Sequence, residues 1–263
     1  MLNKQLSRKL AVITLSAMSL SSVAAGARAA YIQNGDFSTY TGTASGELGY
    51  NVDATGWTYT GFNLLYTPGS ADTTGAPNHF GDSTKLWGPN DGSNNGLTTS
   101  PASGNFVALD ADSQVPGAVG PGPSSISQVL SGLTPGQDYT VSFYYAGAQQ
   151  EGADPVSGVP YDEATSTSLQ VNWGLTFRST PILNNEGKGF TGWKQASFTF
   201  TANRADETLK FLATGGPIGQ PPMALLDGVT VTPASVPEAP VYIGAVAALG
   251  LGAVLRAKLT KKN

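Results

Sequence analysis

The chain has 263 residues, a formal net charge of −4, 33 Gly, 17 Pro, one His and no Cys. Without Cys there is no disulfide framework, thiolate-bound metal or thiol nucleophile, and one His excludes a multi-histidine metal centre. Charged residues are only 12% of the chain, and there is no surplus of Lys and Arg to neutralise phosphates, which argues against nucleic acid as a partner.

From the N-terminus, Lys4, Arg8 and Lys9 precede an apolar and small-residue run from Leu10 to Val23. Ala27-Arg28-Ala29 then puts small residues at the positions a signal peptidase reads. Residues 1–30 are therefore expected to be a secretory signal peptide. The competing reading, an uncleaved anchor, is opposed by the shortness of the run and its interruption by Ser.

Residues 31–232 read as one all-β domain. Gly, Pro, Asn, Asp, Ser and Thr clusters separate short β-rich segments, and no amphipathic helix stands out. Strands are expected at Phe106–Leu109, around Ile126, Gln128 and Leu130, and over Tyr139–Tyr145. Another is expected from Leu169 to Phe177, with Leu169, Val171, Trp173, Leu175 and Phe177 facing inward. Phe198 and Phe200, Leu209 and Phe211, and Val229 and Val231 mark three more, and Asp227 shares the parity of Val229 and Val231. Enough apolar faces result for an antiparallel β-sandwich. Residues 78–103 and 147–168 read as long loops, which in compact domains are usually functional or mobile.

Several segments of this body occur in a recognisable order. Asn34-Gly35-Asp36-Phe37-Ser38 opens it and Gly56-Trp57 follows. Then come Gly104 to Asp110, Ile126 to Tyr139, Trp193 with Phe198 to Ala202, and Leu226 to Val231. The series resembles the galactose-binding-like jelly rolls, including carbohydrate-binding modules and DUF642-type cell-wall domains. That resemblance implies an antiparallel sandwich of eight or more strands. It also implies a structural calcium ion held by Asn34, Asp36 and Asp227, although Ser38 stands where relatives often carry Glu. The alternative for Asp227 is a carboxylate satisfied by backbone N–H groups in a turn.

Sugar binding needs aromatic faces for the apolar sides of pyranose rings, with amides or carboxylates for the hydroxyls. The expected ligand-binding residues are Trp57, Trp87, Tyr144, Gln170 and Asn172, while Trp173 and Trp193 read as core. Tyr59, Tyr66 and Tyr161 are further aromatic candidates. Hydrolysis would need two placed carboxylates, and the candidates are Asp110 with Asp112 and Asp162 with Glu163. They belong to no recognisable motif. His79 has no nucleophile elbow near it, so no catalytic residue is assigned.

Residues 233–240 form a Pro-rich linker. Residues 241–263 contain an apolar run from Val241 to Leu255, then Arg256, Lys258, Lys261 and Lys262. That order suits a transmembrane helix with a cytoplasmic basic end. With Pro237, Glu238 and Pro240 just ahead of it, the layout resembles the PEP-CTERM sorting domain of Gram-negative bacteria. The second Pro lies one place late. The resemblance implies export, inner-membrane retention through the C-terminal helix, processing by an exosortase-type enzyme, and release to the surface or medium. The expected role is non-catalytic, either binding extracellular polysaccharide or forming part of the surface matrix. A jelly-roll hydrolase and a purely structural surface protein are the alternatives. Between Tyr31 and Ser235 there are 6 basic and 17 acidic residues, a net charge of −11. An acidic body makes cations plausible companions.

Overall fold

Apolar residues alternating with hydroxylic ones build pleated strands with one buried face, and Gly-, Asn- and Asp-rich turns reverse the chain between them. A computed structural model describes residues 31–42, 44–102, 104–112 and 123–234. The expected signal peptide, sorting motif and C-terminal helix lie outside the described residues. The strands of the first half are β1 (Tyr40–Thr41), β2 (Gly46–Glu47), β3 (Asp53–Ala54), β4 (Thr58–Thr60), β5 (Asn63–Tyr66), β6 (Ala76–Pro77), β7 (Ser83–Thr84) and β8 (Phe106–Asp110). The second half supplies β9 (Ser125–Leu130), β10 (Asp138–Gln149), β11 (Thr165–Trp173), β12 (Thr176–Ser179), β13 (Leu183–Asn185), β14 (Lys194–Thr201), β15 (Glu207–Gly216) and β16 (Pro222–Pro233).

Two six-stranded sheets carry the fold. Sheet I has the order β14-β10-β16-β8-β5-β2, and sheet II the order β12-β11-β15-β9-β4 with β13 beside β11. The strand pairings within both are antiparallel. Through β8, β9, β10 and β11, and again through β14, β15 and β16, each successive strand lies in the other sheet. This alternation is jelly-roll connectivity.

The core between the sheets takes Val107 and Leu109 from β8, Tyr139, Val141 and Phe143 from β10, and Leu169, Val171 and Trp173 from β11. Leu209 and Phe211 come from β15, and Val229 and Val231 from β16. Trp173 stacks between Tyr139 at 5.8 Å and Phe200 at 5.7 Å. A second apolar cluster lies on the other side of sheet I. There Leu64, Tyr66, Phe106, Ala108, Ala146, Ala148, Met223 and Leu225 meet Ala71, Ala76 and Leu86 from the long β5–β8 connection. The Tyr66 hydroxyl donates to Thr84 O at 3.0 Å and ties β7 down onto the sheet. Residues 71–97, which include much of the expected loop, therefore contribute a roof over sheet I.

Three sequence expectations need correcting. The strand expected to run from Leu169 to Phe177 is a hairpin: β11 ends at Trp173, Gly174 adopts φ +55°, and β12 returns along β11. Leu175 is consequently 97% exposed at the tip and Phe177 57% exposed on β12, instead of facing the core. The reversal needs a left-handed residue, and Gly adopts that conformation without steric cost. Asp227 does not share a face with Val229. A bulge in β16 at Gly228, with φ +61°, shifts its register against β10, so Asp227 faces the roofed side with Met223 and Leu225 while Val229 points between the sheets. Finally, β10 and β11 reach into the expected loop over 147–168, and β16 reaches Pro233.

Replacing Trp173 by Ala removes the ring stacked between Tyr139 and Phe200. The expected loss is about 3–5 kcal/mol of unfolding free energy, read from urea denaturation; a loss within experimental error would contradict this account of the core.

Candidate functional site

The five residues expected to bind ligand do not form one site. Trp57 is 5% exposed, packed on Phe37 at 5.3 Å and Phe211 at 6.4 Å, and its indole N–H donates to Asn34 O at 3.0 Å. It is a core residue. Trp87 sits in the roof, where its backbone N–H donates to Gln149 O at 3.0 Å and its indole to Tyr161 O at 2.7 Å. The Lys188 ammonium lies 4.6 Å from the centre of its ring. Trp87 thereby pins two roof segments to β10. Tyr144 stands half-buried on the roofed side of sheet I, in register with Asp227. Gln170 and Asn172 stand on the outer face of sheet II, joined by a 2.8 Å bond from Gln170 Nε2 to Asn172 Oδ1. The core separates these two from Tyr144. Tyr66 is fully buried, and Tyr161 nearly so.

A different pair of aromatics is presented outward. Tyr50 is 58% exposed in the turn after β2, and Phe80 is 54% exposed in the turn between β6 and β7. His79 lies between them, its ring centre 6.3 Å from Tyr50 and 3.9 Å from Phe80. Beside them runs an open groove lined by Tyr50, Asn51, Asn78, Asp82 and Ser83. Sequence periodicity could not find this pair, because both residues sit in turns. The available signal was two bulky aromatics inside turn-rich text, at Leu48-Gly49-Tyr50-Asn51 and Asn78-His79-Phe80-Gly81.

The turn carrying Phe80 is held from beneath. Glu47 is fully buried at the end of β2. Its carboxylate accepts the His79 backbone N–H at 2.8 Å and lies 2.7 Å from His79 Nδ1. Asn78 Oδ1 accepts the Phe80 N–H at 2.9 Å, and its amide donates to Thr84 Oγ1 at 2.9 Å. Asn51 ties the first turn to the second by donating to Pro77 O at 3.0 Å. A buried carboxylate is costly unless it is paired and hydrogen-bonded. Here that arrangement fixes a surface turn.

At the chain's opening, the Asn34 amide donates to Thr39 O and Thr55 O at 2.7 and 3.0 Å, and its oxygen accepts Thr39 N–H at 2.9 Å. Asp36 Oδ1 accepts the Ser38 hydroxyl at 2.9 Å. Gly35 lies so close to β16 that a Cβ would run into the Val229 carbonyl, and Val229 N–H donates to Gly35 O at 2.8 Å. Asn34 is thus engaged in its own turn, leaving Asp36 and Asp227 as the carboxylates near this contact in sequence. Among the described residues no three His, Asp or Glu side chains group to hold a metal ion.

Asp110 is the last residue of β8 and Asp112 lies two residues on, both buried. Asp110 Oδ1 accepts the Asp112 N–H at 2.8 Å, and Asp112 Oδ2 accepts the Gly219 N–H at 2.7 Å. Burial pushes Asp110 up to about 8; the Asp112 N–H bond opposes this and the Asp112 charge adds to it. Asp162 is exposed, 3.8 Å from the Lys188 ammonium, and Glu163 is exposed beside it.

No protein-family model and no curated protein matches the chain. Among solved structures, a family 61 carbohydrate-binding module in complex with β-1,4-galactotriose aligns at 16% identity over 78% of this chain and 99% of its own, with a TM-score of 0.38. The CBM22-1 xylan-binding domain from Paenibacillus barcinonensis Xyn10C aligns at 6% identity over 77% and 93% of the two chains, with a TM-score of 0.32. An arabinose-bound α-L-arabinofuranosidase aligns at 14% identity over 79% of this chain and 27% of its own, with a TM-score of 0.38. At such identities and scores, function has to be read from this chain's own surface.

The raised Asp110 has a measurable consequence. Between about pH 4 and its folded value of about 8, the unfolded chain has released this proton and the folded chain retains it. Stability at this site is therefore expected to fall as pH rises through that window. Asp110→Asn keeps an acceptor for Asp112 N–H and should flatten the decline, raising the urea midpoint most near pH 8. An unchanged pH profile in the variant would remove Asp110 as its source.

Proposed function

We propose that this chain is an exported, non-catalytic carbohydrate-binding protein of the cell surface, and that Tyr50 and Phe80 are where its body meets a neutral glycan. The exposed aromatic pair on a fixed turn carries the reading. Large aromatics left in water at adjacent turns present flat apolar faces that a pyranose ring can cover. Asn51, Asn78 and Ser83 stand beside them as hydrogen-bonding groups. The acidic side chain in that lining is Asp82, which favours neutral sugars over uronates. The buried Glu47–His79 contact holds the turn before a ligand arrives, so less ordering entropy is lost on binding.

The export reading rests on residues 1–30. The sorting reading rests on the segment containing Pro237, Glu238 and Pro240, the apolar run and the basic tail. In it an exosortase-type enzyme cuts near the Pro-Glu motif and frees the body from the inner membrane to bind or build extracellular polysaccharide. Mass spectrometry of the protein from its host should find a mature C-terminus near residue 238. Cell-surface protein that still ends at Asn263 would refute the processing step.

A glycan screen of the purified protein tests the binding site. Tyr50→Ala and Phe80→Ala should each weaken the best neutral ligand by about tenfold, the scale of one interface anchor, and the double variant should abolish binding with its urea midpoint unchanged. A double variant that binds like the wild type, or a screen without a neutral ligand, overturns the proposal. The same screen, run with calcium and with a chelator, tests an ion at Asp36 and Asp227: a melting temperature lower in chelator supports it, and an identical one removes it.

A further inference from the structure

The outer face of sheet II differs in chemistry from the rest of the body. One row in register across five strands reads Thr58, Ser127, Lys210, Asn172 and Phe177. The next row reads Thr60, Ser125, Leu212, Gln170 and Ser179. Neither contains a carboxylate, although the body carries 17 acidic residues. The ion pairs among the described residues join His79 to Glu47 and Lys188 to Asp162. Lys210 is in neither, so its charge stands uncompensated on a central strand of an acidic protein.

Its neighbour completes a receptor. Asn172 is directly opposite Lys210 across the β11–β15 pairing, where facing side chains are about 5 Å apart at Cβ. Gln170 donates to Asn172 Oδ1 at 2.8 Å, which engages the Asn172 oxygen and leaves its N–H₂ group as the donor for a ligand. An ammonium and an N–H₂ group thus stand side by side, both donors, a combination that suits a carboxylate. Phe177 lies on the same row one strand beyond Asn172, about 10 Å from Lys210 at the usual strand spacing. It offers an apolar ring face at the distance of a neighbouring sugar unit.

We infer that this row is a second binding site, for uronic-acid residues of an acidic polysaccharide lying across the strands. The uronate carboxylate sits on Lys210 and Asn172, an adjoining ring covers Phe177, and Ser127 and Thr58 meet hydroxyls further along. A single cation does not suit nucleic acid or an anionic membrane, whose binding relies on several basic side chains at once. The site is independent of the Tyr50–Phe80 reading. With both occupied, one molecule would bridge a neutral chain and an acidic one.

Calorimetry of the purified full-length protein with hexagalacturonate, cellohexaose and a single-stranded DNA oligonucleotide tests the inference. The wild type should bind hexagalacturonate, more weakly as salt rises. Lys210→Gln should lose about tenfold or more in affinity, the scale of one charge-assisted hydrogen bond. Lys210→Arg should retain binding, and Asn172→Asp, which sets a like charge against the ligand, should abolish it. Tyr50→Ala and Phe80→Ala should leave hexagalacturonate affinity unchanged, so that the failure of one site is distinguishable from that of the other. Lys210→Gln and Asn172→Asp variants that bind like the wild type overturn the inference. So does a wild type that does not bind hexagalacturonate, or that binds DNA more tightly.

Discussion

Sheet I has apolar side chains on both of its faces, and much of the remaining architecture answers that demand. Its inner face is covered by sheet II. Its other face, from Leu64 and Tyr66 through Phe106 and Ala108 to Met223 and Leu225, would be an apolar surface in water without the β5–β8 connection. Covering it requires a long loop with its own anchors. Tyr66 reaches Thr84, Trp87 reaches Tyr161, and Leu86 enters the second cluster. The loop length that looks functional in the sequence is first of all a covering. What stays exposed at its margin is Phe80, which projects beside Tyr50.

Sheet II has the opposite problem and solution. Its outer face stays open to water and carries mostly hydroxyls and amides, with one lysine and the apolar Leu212 and Phe177. Cross-strand pairs such as Thr58 with Ser127 at 2.9 Å and Ser168 with Thr214 at 2.8 Å satisfy the short polar groups against each other. The two sheets therefore divide the work: one buries apolar surface on both sides, and the other displays polar chemistry without charge crowding. The acidic residues are kept off the two rows described, which leaves Lys210 a local exception to the negative field of the body.

Strand period and turn chemistry made most of the sandwich legible. Val141 and Phe143, Leu169 to Trp173, and Leu209 and Phe211 alternate as a half-buried strand must, and they pack between the sheets. Alternation failed where a single glycine resets direction. Gly174 turns Leu175 and Phe177 outward, and Gly228 moves Asp227 to the other face from Val229. Trp57, expected among the ligand-binding aromatics, lies in the core, because hydrophobicity alone does not distinguish a core indole from a displayed one. Tyr50 and Phe80 were not legible, since turns have no period and their pairing depends on two segments about 30 residues apart meeting through Glu47 and His79. Gln170 and Asn172 were legible as polar positions, but their partner Lys210 comes from another strand, and only the register reveals it.

The ends of the sheets have a further consequence for how the protein behaves at high concentration. An open row of backbone N–H and C=O groups invites edge-to-edge growth into fibres. At three of the four sheet ends the last strand is short: β2 has two residues, β4 three and β12 four. The fourth, β14, has eight residues, but it starts at Lys194 and alternates Gln195, Ser197, Thr199 and Thr201 toward solvent. Short edges and a polar long one discourage templated stacking. Such a protein can be highly concentrated and still resist growth into ordered fibres.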